Sequence, residues 1–362
     1  MPETFRITVV GRLKDHKMRA KLLPLVAMPE ILQIALVRRT PLDLDRVRNY
    51  CPPPLLRDIA PVAELWRVLT VLWLCATGQA GRFLVSFYLR PHGLYADLGR
   101  RLFGIATIPV TISEEDVKLG IEHWPYTVAV AKAHAVGVRG AHSARLLEAQ
   151  GTPAERIFNP PNLYDPETCA PDAAVVKDID ILYVGNLVAV KRLDRLLEAA
   201  ARLTGARPGL RVVLVGDGVL RRDLEELAVE LRLGAHVEFV GARPFEEVPR
   251  WLQRARVFVM TSESEGLPQA MIEAMGCGVP VVLPDTGDVT TIAKHGTNAW
   301  IVSPPTAEGF ADAIGRLLED AALYRTLSDG GLAMRDQFRR DYGLEGAIAE
   351  WRKAFAPRLP RG

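Results

Sequence analysis

Two glutamates, Glu265 and Glu273, stand with seven residues between them in the stretch SESEGLPQAMIEAMGCGVPVV, which begins at Ser262. Glu265 occupies a Gly-Leu-Pro corner just after the apolar run VFVMTS, and Glu273 lies in a short, mostly apolar segment. A carboxylate in the second position can accept hydrogen bonds from a vicinal diol such as ribose. Backbone N–H groups near Gly266 and Leu267, at the start of a helix, attract an anion, most naturally a phosphate. The spacing fits a ligand with a sugar on each side of a phosphate bridge. Taken singly, the two glutamates would read as solvated surface residues. Their place at a strand end and a Gly-Leu-Pro corner favours the ligand.

A second motif points to the same chemistry. YVGNLVAVKRLDRLLEA puts Lys191 and Arg192 where an amphipathic helix opens. Cations there do not serve the helix dipole, so an anionic partner is expected. VGDG, with Gly216 and Gly218, permits close backbone approach. Turn glycines are too common for that motif alone to mark a nucleotide site.

These residues need strands and helices to position them. In the second half, ILYV, RVVLV, VEFV, RVFVM, PVVLP and NAWIV read as strands, with amphipathic helices between them. Such alternation predicts parallel strands with right-handed crossovers. The first half alternates less regularly, through FRITVV, QIALV, FLVSFYL and IPVTIS. Two Rossmann-like, doubly wound α/β domains facing a central cleft are therefore expected, with ligands beyond the carboxyl ends of the strands. The Pro-rich NPPNLYDPETCAPD marks the boundary. The expected division is 1–170 for an N-terminal domain and 171–340 for a C-terminal one. Residues 341–362 are read as a final helix crossing back to the N-terminal domain.

The 362 residues carry a formal net charge of +2, yet the first 164 hold about +7 and the remainder about −5. A basic half suits an anionic substrate or a membrane surface. No aromatic-basic pattern suggests nucleic acid. The four cysteines form no C-x-x-C pair, and His123, His134 and His142 lack metal-ligand spacing. The N-terminus runs directly into a strand without the layout of a leader peptide. The apolar LWRVLTVLWLCATGQAG contains Arg67, and its uncharged run is too short to span a bilayer, so it is expected to be a core helix. The expected location is cytoplasmic, with peripheral membrane association left open.

The motif set resembles the retaining glycosyltransferases of the GT-B fold, specifically glycosyltransferase family 4. EGLPQAMIE followed by AMGCGVPVV, YVGNL with Lys191, VLVGDG, HVEFVG and FNPPNLYD (Asn162 and Asp165) carry the likeness, in order and spacing, over about residues 155–320. Before residue 150 the likeness is architectural.

The resemblance implies that Lys191 binds the donor diphosphate and stabilises the leaving group. Glu273 would hold the nucleotide ribose, and Glu265 would position the donor sugar. Gly266 and Leu267 would offer backbone donors, and the loop from Gly241 to Arg243 would pass near the base. Asn186 stands where the family often has arginine, with Arg192 compensating. Only Gly11 marks the first turn, usually glycine-rich, so Lys14, Lys17 or Arg19 could have taken over some function. His92, after a strand, could contact the donor sugar or phosphate. Glu114, Glu115 and Asp116 could bind acceptor hydroxyls, although a solvated turn is the simpler reading. No Asp-x-Asp clamp is placed for a metal.

The expected activity is metal-independent transfer of a sugar from a nucleoside diphosphate sugar, with retention and without a cofactor, UDP being taken ahead of GDP. The acceptor would be a small molecule, a glycan or a lipid-linked sugar. A phosphorylase, a nucleotide-sugar epimerase and a non-catalytic nucleotide-sugar-binding subunit are the alternatives.

Overall fold

In a computed structural model, residues 3–111, 117–118 and 122–356 are described. The chain divides into two compact units, one running to Leu163 and resuming at Leu344, the other Tyr164–Gly343.

The first unit holds a seven-stranded parallel sheet in the order β3-β2-β1-β4-β5-β6-β7. Its strands are β1 (Phe5–Val10), β2 (Ile31–Val37), β3 (Val47–Tyr50), β4 (Phe83–Phe87), β5 (Ala106–Val110), β6 (Val136–Gly137) and β7 (Ile157–Phe158). Helices α1 (Asp15–Ala27), α2 (Ala60–Ala76), α3 (Leu94–Phe103), α4 (Tyr126–Ala131) and α5 (Gly140–Ala149) lie between them in sequence. The C-terminal helix Leu344–Phe355 completes this unit's core: Trp351 meets Phe158 at 5.1 Å between ring centroids, and Phe355 meets Phe83 at 5.0 Å.

The apolar stretch from Leu65, expected as a core helix, belongs to α2, and only one side of it is buried. Ala63, Arg67, Val71 and Leu74 face inward, whereas Leu65, Leu69 and Trp73 are 59%, 57% and 47% exposed. Helical periodicity explains the inversion. Arg67 shares a stripe with apolar residues three to four positions away, and the leucines two positions off fall on the opposite side. Among the described helices none is long and apolar enough to cross a membrane.

The second unit holds a six-stranded parallel sheet in the order β10-β9-β8-β11-β12-β13. The strands are β8 (Ile179–Val184), β9 (Val212–Val215), β10 (Val237–Gly241), β11 (Ala255–Val259), β12 (Val281–Pro284) and β13 (Trp300–Val302). Helices α6 (Leu193–Thr204), α7 (Arg221–Glu230), α8 (Val248–Arg254), α9 (Gln269–Gly276), α10 (Val289–Ile292), α11 (Ala307–Glu319), α12 (Ala321–Leu332) and α13 (Arg335–Tyr342) accompany it. β9 shows why its strands read as unbroken apolar runs. Val212 and Leu214 enter the core on one face, Val213 and Val215 the core on the other. A sheet covered on both faces needs apolar residues at every position. The helices instead alternate: in α6 the inward side is Leu193, Leu196, Leu197 and Ala200. The strand order reverses between β8 and β11, so the loops leaving these two strands diverge and open a crevice.

Candidate active site

Because all six strands of the second unit are parallel, every loop that follows a strand emerges at the same end of the sheet. That end collects Asn186 after β8, Gly216 and Gly218 after β9, Gly241 and Arg243 at β10, and Glu265 to Leu267 after β11. Lys191 closes a single 3-10 turn, Ala189–Lys191, and Arg192 follows in the left-handed region at φ 46°, as the N-cap of α6.

The loops after β8 and β11 are stitched together through their backbones. Thr261 Oγ1 donates to the carbonyls of Lys191 and Arg192 at 3.0 and 2.8 Å, and the Glu263 N–H donates to Val190 O at 2.9 Å. Thr286 Oγ1, beyond β12, donates to Glu263 O at 2.6 Å. The stitching sets two charged side chains face to face: Lys191 Nζ donates to Glu265 Oε1 at 2.5 Å. Ser262 Oγ donates to the same oxygen at 2.6 Å. Glu265 is thus held on one oxygen by two donors. Among the described residues its carboxylate takes one of the three N–H donors of Lys191, and two are left for a further anion.

Arg192 has its anionic partners within the protein. Its guanidinium donates to Asp194, from Nη2 at 2.7 Å, and also pairs with Glu263. Arg195 reaches Glu263 at 3.2 Å. These ion pairs hold the strained αL residue at the head of α6.

Glu273 lies in the second turn of α9 and is 2% exposed. Met271, Ile272 and Met275 pack into the core around it, and Gln269 Nε2 donates to its Oε1 at 3.1 Å. Burial pushes the carboxyl up to about 7, with Gln269 opposing. Pro268 is the N-cap of α9 and not its first helical residue, so Gln269 opens the helix. Gly266 and Leu267 lie on the corner before it, exposed and half-buried.

The glycines serve packing at this end. A Cβ on Gly216, whose φ is 149°, would stand 1.8 Å from Gly185 O. One on Gly218 would stand 2.2 Å from Leu187 O. The VGDG turn therefore lies directly against the loop after β8. Gly241, at φ 76°, ends β10 and accepts from the Gly216 N–H at 2.9 Å. Arg243 is exposed, its guanidinium 5.9 Å from the Trp251 ring centroid.

His92 belongs to the first unit and is fully buried there. Its Nδ1 sits 3.0 Å from Phe87 O, and Nε2 has no partner among the described residues. Burial drives its pKa down to about 4, so the ring is neutral at physiological pH. Glu114, Glu115 and Asp116 lie outside the described residues. Sequence reasoning passed over Thr261, Ser262, Asp194 and Gln269. Their signal is position: hydroxyls directly after a buried strand, and polar residues one helical turn from a predicted ligand group.

The sheet order and the strand-end loops define the second unit as a Rossmann-like, doubly wound type. Residues 170–333, just under half of the chain, match the family described as glycosyl transferases group 1. A D-inositol 3-phosphate glycosyltransferase of Acidothermus cellulolyticus is 32% identical over 187 residues, which cover 49% of this chain and 42% of that one. The chain spans about two fifths to three fifths of the length of the curated relatives it matches. Among solved structures, Anabaena HepE in complex with UDP and glucose superposes with a TM-score of 0.75 at 16% identity, covering 96% of this chain and 99% of that one. A sucrose-phosphate synthase from Thermosynechococcus elongatus gives 0.77 at 20%, covering 97% and 98%. The fold is that of the GT-B glycosyltransferases, two parallel-sheet α/β domains.

Proposed function

We propose that the protein is a retaining glycosyltransferase that moves a sugar from a nucleoside diphosphate sugar to an acceptor. The observation that carries this reading is the Lys191–Glu265 pair at the strand ends, with buried Glu273 on the helix that follows. In the proposed mechanism the diphosphate lies against Lys191, whose two remaining donors meet charge as it grows on the leaving oxygen. Glu273 accepts from the ribose hydroxyls, and Glu265 Oε2 accepts from a hydroxyl of the donor sugar. The acceptor hydroxyl attacks the anomeric carbon from the face the diphosphate leaves, the bond to the phosphate oxygen breaks, and the departing oxygen takes the hydroxyl proton, which retains the anomeric configuration. Catalysis then rests on positioning and electrostatics, with a cationic side chain doing what a metal could otherwise do.

UDP is the proposed nucleotide; HepE has been crystallised with UDP and with UDP-glucose. The reading is tested by incubating the protein with UDP-sugars alone, with phosphate, and with candidate acceptors, and by following UDP release and product stereochemistry by NMR. Transfer to an acceptor with retention supports it. Sugar phosphate formation would make the protein a phosphorylase, and UDP-sugar binding without turnover would make it a binding subunit. Peripheral membrane contact through the first unit is part of the proposal, supported by the exposed Leu65, Leu69 and Trp73 on α2. Failure to sediment with anionic liposomes would remove that part.

A further inference from the structure

The first unit has a cavity of about 390 Å³ at the carboxyl ends of β1 and β2, the end of a parallel sheet where ligands bind. Six cationic side chains and three carboxylates line it. The carboxylates are already engaged: Asp15 with Arg38, Asp58 with Arg39 and Glu64 with Arg67. Three positive charges are left over.

Two of the arginines are built into the wall. Arg38 and Arg67 are 3% and 4% exposed. Arg38 Nη2 donates to Leu13 O at 3.1 Å and to Asp15, but among the described residues its Nε and Nη1 have no partner, and neither does Arg67 Nε. A buried N–H without an acceptor has lost its water and gained nothing in exchange, and the cost is greater when the group is charged. Three such donors on two guanidinia, beside a cavity of ligand size, mark a place shaped for an anion. A carboxylate offers two oxygens and one charge. A phosphate monoester offers three oxygens and close to two charges, which matches three open donors and a surplus of cations. The cavity also exceeds what a phosphate fills and leaves space for the group that carries it.

We propose that this cavity binds a phosphate ester and that, on the glycosyltransferase reading above, this is the phosphate of the acceptor. Arg38 and Arg67 hold its oxygens, and the more exposed Arg57 closes the rim. The phosphate could be carried by a soluble sugar or by a lipid headgroup; the chemistry recognised is the same.

The test is calorimetric titration of the full chain with glucose 6-phosphate, glucose and inorganic phosphate, beside co-sedimentation with vesicles containing phosphatidic acid. Glucose 6-phosphate should bind, inorganic phosphate should compete, and glucose should not bind. Arg67→Gln should weaken binding ten- to a hundredfold. Because Arg67 is buried, its melting curve is recorded too, and Arg57→Gln, at a half-buried rim position, should give a several-fold loss in a folded protein. Vesicle binding without glucose 6-phosphate binding, weakened by the same substitutions, would assign the lipid source. No phosphate-dependent binding in either arm, or equal binding by wild type and Arg57→Gln, would overturn the proposal. These are binding measurements without donor, so phosphate binding with no sugar transfer would sink the glycosyltransferase reading and leave the site standing.

Discussion

Glu273→Gln isolates the cost of keeping a carboxylate inside α9. The carboxyl's ordinary value of 4.5 is pushed up to about 7 by burial. Between those two values the folded protein binds more protons than the unfolded chain, so stability falls as pH rises. The penalty is small near pH 5 and nearly complete at pH 8. At 1.36 kcal/mol for each pH unit, the change across that interval is about 2–3 kcal/mol. Glutamine keeps the oxygen that accepts from Gln269 Nε2 and cannot ionise. Urea unfolding of both proteins at pH 5, 6, 7 and 8 measures the effect, since titrations common to the two cancel in the difference. The variant should gain about 2–3 kcal/mol on wild type between pH 5 and 8. A difference that stays flat with pH would refute the reasoning, because the carboxyl would then titrate alike in both states. UDP binding gives the converse. Ribose hydroxyls donating to the ionised carboxylate would favour it, so wild-type affinity should rise with pH up to about 7 and then level off, and the variant's should not.

Lys191→Ala should lower kcat by about 10²–10³-fold as well as weaken donor binding, the scale for losing one donor to developing negative charge; steady-state kinetics that show only a raised KM would contradict this. Glu273→Ala, in contrast, should mainly raise the donor KM, by roughly ten- to a hundredfold, because its contact is the same before and during bond breaking. Gly287→Ala would place a Cβ 1.7 Å from Glu265 O at a φ of +55°, so the Glu265 loop must move. About 1–3 kcal/mol of stability and most of the activity should be lost together, and a fully active, equally stable variant would show that this loop tolerates displacement. Turnover should persist in excess chelator, and activity that is lost and then restored by magnesium or manganese would reverse the assignment of leaving-group charge to Lys191.

The second unit was more legible in the sequence than the first, for a physical reason. Its strands are buried on both faces and stand out as apolar runs, and its parallel topology sends every strand-end loop to one edge. Lys191, Glu265 and Glu273 could therefore be expected at strand-end loops of one sheet, from their motifs and from the family resemblance. The pairing of Lys191 with Glu265 could not, because it depends on Thr261 and Thr286 tying three loops together through backbone carbonyls. In the first unit the short strands β3, β6 and β7 carry too few residues for a period to show. Arg67 misled for a different reason. An apolar run broken by one charge reads as a core helix, yet the charge was turned inward and the leucines outward. Window hydropathy does not record which side a residue takes. Periodicity does, and the pocket wall it builds with Arg38 was the feature the sequence hid.

The charges at the β8 and β11 strand ends lead to one more test. Lys191, Arg192 and Arg195 face Asp194, Glu263 and Glu265, three cations against three anions. Arg192 and Arg195 are tied to Asp194 and Glu263, so the positive charge available to a diphosphate is that of Lys191, and Glu265 competes for it. Their side chains are 22% and 9% exposed, so the pair is screened less than a surface ion pair. Glu265→Gln removes the competing charge while leaving an oxygen for the Ser262 hydroxyl, 2.6 Å away in the wild type. UDP should then bind more tightly, by roughly five- to twentyfold, on the order of 1–2 kcal/mol, more than a surface ion pair supplies. Sugar transfer should fall, because the contact proposed to position the donor sugar is weakened. Tighter UDP with slower transfer separates this arrangement from one in which Glu265 merely braces the loop. If it only braced the loop, the substitution would weaken UDP binding, and that outcome in calorimetry would remove Glu265 from the proposed mechanism.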